Sequence, residues 1–93
     1  MTYNEVLQRI ISGYHRVGFT CAAVLRQGVP TAAVDEQSTF TVVVRQQSLN
    51  QQPGKLLRVA GTLAQHEEVI RQLWAGGNTL TNPRVTEYDG KEE

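Results

Sequence analysis

Two stretches of the chain repeat apolar residues every three or four positions, and two others alternate or run apolar over seven or eight. In the first, Val6, Leu7, Ile10, Ile11, Tyr14 and Val17 form one stripe, while Glu5, Gln8, Arg9, Ser12 and Arg16 fall on the other side. That spacing predicts an amphipathic helix over 4–17. Thr2 and Glu5 stand at the spacing of a capping box, in which hydroxyl and carboxylate exchange bonds with each other's backbone N–H. Gly13 weakens the helix by ~1 kcal/mol relative to Ala, and Gly18 is a natural left-handed stop. A second helix opens with a Thr62–Gln65 capping box and continues through Val69, Ile70, Leu73 and Trp74 to the Gly76-Gly77 stop. Glu67 and Glu68 sit towards its positive dipole end and Arg71 later, the favourable order.

Between the helices, Thr39–Gln46 (TFTVVVRQ) is β-branched and aromatic enough for a strand, and 55–61 (KLLRVAG) for a second. The polar, glutamine-rich 47–54 closes on Pro53-Gly54 and joins the two as a long hairpin loop. Beyond Asn82-Pro83, 84–88 can add a short edge strand. Residues 19–38 admit two readings. With period two, Phe19, Cys21, Ala23 and Leu25 alternate with Thr20, Ala22, Val24 and Arg26, which is a strand turned at Gln27-Gly28. Alternatively, 22–26 and 31–37 form two short helices. Val24, Gly28 and Val34 then occupy the spacing of a helix-turn-helix, and the hairpin that follows resembles the wing of a winged helix-turn-helix. Asp35-Glu36 in its recognition helix would repel phosphates.

The strand reading gives the favoured fold class, α+β. An N-terminal helix is followed by an antiparallel meander of three or four strands, and a second helix packs on the same sheet face. The expected core is Val6, Leu7, Ile10, Ile11, Tyr14, Leu25, Phe40, Val42, Val44, Leu57, Val59, Val69, Ile70, Leu73 and Trp74. The expected organisation is one small domain over 1–88 with a flexible acidic tail at 89–93.

The chain has 93 residues, with nine Lys and Arg against nine Asp and Glu, so it is not a highly basic nucleic-acid binder. A chain of this size buries only ~60–65% of the surface its unfolded form exposes. One cysteine, Cys21, rules out an intrachain disulfide and a multi-cysteine zinc site, and suggests a reducing, cytoplasmic setting. No apolar run reaches the roughly 18 residues of a membrane span, and the first residues lack the order of a signal peptide.

Candidate chemistry is thin. Cys21, His15 and His66 are the only cysteine and histidines. Cys21 among alanines reads as a small buried thiol with a raised pKa, and His66 as bordering the core. His66 with Glu67 or Glu68 lacks the HExxH spacing of a metal helix. Pro53-Gly54-Lys55 lacks the second glycine and the Ser or Thr of a phosphate loop. No catalytic residue, metal ligand or cofactor is therefore expected.

One charged feature remains. No acid lies between Gln37 and His66, while Arg45, Lys55 and Arg58 lie in or beside the hairpin, which makes them candidate contacts to a partner protein or to nucleic acid. The run VVVR, then LLRVAG, then a helix with Ile70 and Trp74 also resembles the strand-strand-helix half of the DinI-type modulators of the SOS response. The resemblance covers a third of the chain and carries over no functional residue. The expectation is a small non-catalytic interaction protein, an adaptor, inhibitor or chaperone-like dimer of bacterial or mobile-element origin. Its partner, another protein or a second copy, would be met through a sheet edge or an exposed sheet face. The alternative is a winged helix-turn-helix regulator that binds DNA.

Overall fold

The computed structural model describes residues 1–25, 28–46, 56–76 and 82–89. The loop expected at 47–54, Lys55 and the tail beyond Asp89 lie outside those residues. The elements run α1 (Tyr3–Arg16), β1 (Phe19–Leu25), β2 (Thr39–Gln46), β3 (Leu56–Thr62), α2 (Leu63–Trp74) and β4 (Val85–Glu87). The four strands form one antiparallel sheet in the order β1-β2-β3-β4. The fold is α+β, with both helices on one sheet face.

Both capping boxes form. The Thr2 hydroxyl accepts from the Glu5 amide and that of Thr62 from the Gln65 amide, each at 3.3 Å. The first N–H groups of α1 have no partner within the helix, and an unmet donor there is costly. Tyr3 and Asn4 donate theirs to the carbonyls of Ala32 and Pro30, at 2.8 and 3.0 Å. This use of 30–33 explains why the helix-turn-helix does not form. The segment is a turn, closed by the Ala32 N–H donating to the Val29 carbonyl at 3.0 Å, that lies against the start of α1 through a Thr2–Ala33 bridge, and the carbonyls of Pro30 and Ala32 are spent on capping. Among the described residues of 19–38 there is a strand and no helix.

α1 turns at Gly18 (φ 87°) straight into β1, and α2 follows β3 with no linker. β1 and β3 both run antiparallel to β2, so they are parallel to each other, and the helices doubling back from them are parallel too. The contacts agree. Arg9 reaches Glu67, a Cβ on Gly13 would meet the Ile70 Cδ1 at 2.5 Å, and Arg16 and Val17 border the same groove as Trp74.

Under the helices, Val6, Leu7, Ile10, Tyr14, Phe40, Val42, Val44, Val59 and Val69 are buried as expected, and Ile11, Leu57, Ile70 and Leu73 pack partly buried against them. Tyr3, Phe19 and Val85 join this core. The Tyr3 ring lies 5.1 Å from that of Phe40.

Two expected core residues are not there. Leu25, half-buried, lies outside the core because the β1–β2 register slips between Cys21 and Ala23. The extra residue, Ala22, is a bulge that reverses the alternation, so Phe19 and Cys21 face the helices before it and Val24 after it. Trp74 is 78% exposed. It lies about 80° around α2 from His66, on the flank towards α1, and α1 has already ended where Trp74 would need cover.

Candidate interaction site

The sheet face turned away from the helices is built by alternation. Phe40, Val42 and Val44 point into the core, so Thr41, Val43 and Arg45 point the other way. The register adds Ala23 and Leu25 from β1 and Leu56, Arg58 and Ala60 from β3. Val43, at the centre of this helix-free face, is only 1% exposed. Its register partners are Ala23 and Arg58. Arg58 is half-buried with its Nε shielded from water, so its aliphatic stem lies low over the face. Arg45 is exposed and diagonal to Arg58. The structure therefore brings two of the three expected contact residues to one face, while Lys55 lies outside the described residues.

This face ends at the edge strand β1. Its seven residues, Phe19–Leu25, carry no charge and no proline. Lysine, proline and bulges are the usual guards against unwanted strand pairing, and here only the bulge at Ala22 is present.

The other candidate groups have structural work. His66 is fully buried. Its Nε2 lies 2.8 Å from the Phe40 carbonyl, which can only accept, so Nε2 carries the proton. Nδ1 is then a bare acceptor, and the Tyr14 hydroxyl donates to it at 2.9 Å. Burial pushes the His66 pKa down, against the Phe40 carbonyl that favours the charged ring. Burial also pushes the Tyr14 phenol well above its ordinary value, with a smaller contribution from Cys21 nearby. Cys21 is raised by burial, the state of a thiol rather than of a nucleophilic thiolate, and its S–H points at the Ala23 carbonyl. His15 is exposed on α1 and belongs to no group with them. Periodicity placed His66 near the core but gave no sign of its partner Tyr14, 52 residues away.

Two depressions lie on the helical layer. An open groove of about 1010 Å³ runs between α1 and α2, bordered by Arg9, Gly13, Arg16, Ile70, Arg71 and Trp74. A notch of about 320 Å³ lies at the N-terminal ends of both helices, with Met1, Val6, Val34 and Leu63 as its apolar lining. Asp35, Glu36 and Glu67 stand around it. Among the described residues no group of three metal-ligating side chains comes together, and no helix is long and apolar enough to cross a membrane.

No family model matches the chain, and neither the curated proteins nor the solved structures contain a significant match.

Proposed function

We propose that this chain is a small non-catalytic protein-interaction module whose partner adds a strand to β1 and rests on the helix-free face beside it. The observation that carries the reading is the uncharged seven-residue edge strand, which continues into a face bearing the exposed Ala23 and the half-buried Leu25, Leu56 and Ala60. Strand addition draws affinity from main-chain hydrogen bonds and specificity from side chains on alternate positions. Arg45, exposed on this face, favours a partner with a carboxylate beside its added strand. The engaged state of His66 and the protonated, half-buried Cys21 also support a binding role over a catalytic one.

The test is comparative capture on immobilised wild type, Ala23→Lys and Arg45→Ala. Ala23 is exposed, so the lysine leaves the fold intact and sets a charge in the contact. A protein retained by wild type, weakly held by the arginine variant and lost by Ala23→Lys supports the reading. Equal retention by all three contradicts it. A mobility shift with duplex DNA that disappears on changing Arg45, Lys55 and Arg58 to Ala would favour the regulator instead.

A further inference from the structure

Trp74 is the single tryptophan of the chain, and it is 78% exposed at the C-terminal end of α2. An indole left in water forgoes a burial of 150–250 Å², which makes it the usual anchor of a protein contact. Its surroundings are cationic. Arg16 and Arg71 border the same end of the groove, and neither forms an ion pair among the described residues. Both sit in the last turn of their helices, where the two negative dipole ends offset part of their charge but not all of it. Arg9, further up the groove, already faces Glu67 at 3.9 Å.

The notch at the opposite end has the complementary character. Its lining of Met1, Val6, Val34 and Leu63 is apolar, and Asp35 and Glu36 are exposed beside it. Asp35 stays ionised, its pKa lowered by hydrogen bonds from Gln37 and Ser38. Because α1 and α2 are parallel, Arg16, Arg71 and the exposed Trp74 collect at one end of the helical layer. The acidic, hollow character collects at the other, separated by the length of α2, roughly 16 Å along the axis. A formal net charge of zero removes the overall repulsion that keeps like molecules apart.

We infer that the helical layer is a head-to-tail self-association surface, in which Trp74 of one copy enters the notch of the next and Arg16 and Arg71 face its Asp35 and Glu36. The donor surface and the acceptor surface are different, so the contact is heterologous and the assembly stays open unless its rotation closes a ring. Each copy in the row leaves β1 and the helix-free sheet face uncovered. The contact is therefore independent of the partner proposed for that edge, and either can fail without the other.

The experiment is sedimentation velocity over a wide concentration range, with the emission of Trp74 read on the same samples. Wild type should gain mass without a plateau at the dimer while the emission moves to shorter wavelength, and high salt should weaken both changes. Trp74→Ala, and separately Glu36→Arg with Ala64→Arg, Ala64 being a further residue of the notch wall, should each raise the apparent dissociation constant roughly tenfold or more. The changed residues are all exposed, so the variants keep the fold, which circular dichroism verifies. Mixing the two variants should restore a single contact and give a 1:1 dimer, because one retains the notch and the other the indole. A monomer with constant emission throughout would overturn the inference. So would association that survives Trp74→Ala, or a plateau at a dimer with no recovery on mixing, which is the mark of a symmetric indole-to-indole contact.

Discussion

The ring of His66 holds α2 to the sheet and to α1 at once, through the Phe40 carbonyl and the Tyr14 hydroxyl. Because both nitrogens are engaged, removing one partner leaves a buried polar atom without a hydrogen bond. Tyr14→Phe should therefore cost about 1–3 kcal/mol in urea denaturation. The His66 pKa is lowered on folding, so the unfolded chain binds the proton more readily and acid favours unfolding. The stability tied to this ring is whole above the unfolded value near pH 6.5 and falls below it, by up to about 1.4 kcal/mol per pH unit until the folded pKa is reached. Glu5 and Asp35 are lowered by hydrogen bonds, so their contributions are present above the ordinary carboxylate range and lost only in more acidic solution. In denaturation midpoints measured from pH 7.5 to 3.5, His66→Gln should remove the early loss and leave the later one. An unchanged early loss would mean that another group causes it. The Thr2–Glu5 bonds were legible in the sequence as a capping box, but of the His66 pair only its place beside the core was, since its bonds to Tyr14 and Phe40 join residues that only the packing of α2 on α1 and the sheet brings together.

At the scale of elements, the local signals were strong. Both capping boxes, the Thr39–Gln46 strand and the helical stripes lie where spacing put them, because each depends on neighbours within one turn or one pleat. What escaped was set by pairing. The Ala22 bulge swaps Leu25 for Val24, and its cause lies in the register with β2 rather than in the FTCAAVL run itself. Gly13 is similar. Alone it reads as a weak point in α1, yet it sits where Ile70 crosses, and a Cβ there would stand 2.5 Å from the Ile70 Cδ1. Gly13→Ala should gain helix propensity of about 1 kcal/mol and lose much of it to the displaced methyl. In the Ile70→Val background that methyl is gone, and Gly13→Ala should show the larger gain. A double-mutant cycle by thermal or urea unfolding measures the difference, and full additivity would mean that the two helices do not meet at this point.

The whole molecule is two layers: a sheet of four strands and one pair of parallel helices. Covering only one sheet face leaves a helix-free surface and an edge. The sequence showed that the cations cluster near the hairpin, but the alternation and register were needed to bring Arg45 and Arg58 together on that surface. The sequence also misled at Trp74, because a helical period fixes an angle around α2 and not the point where α1 stops. The central claim is that β1 receives the partner. The direct measurement is amide hydrogen exchange on the chain alone and saturated with the protein that wild type retains and Ala23→Lys does not. Amides of β1 should slow strongly on binding, while those in the middle of β2 are already slow and should change little. Slowing confined to α1 and α2, with β1 exchanging at its free rate, would contradict the claim.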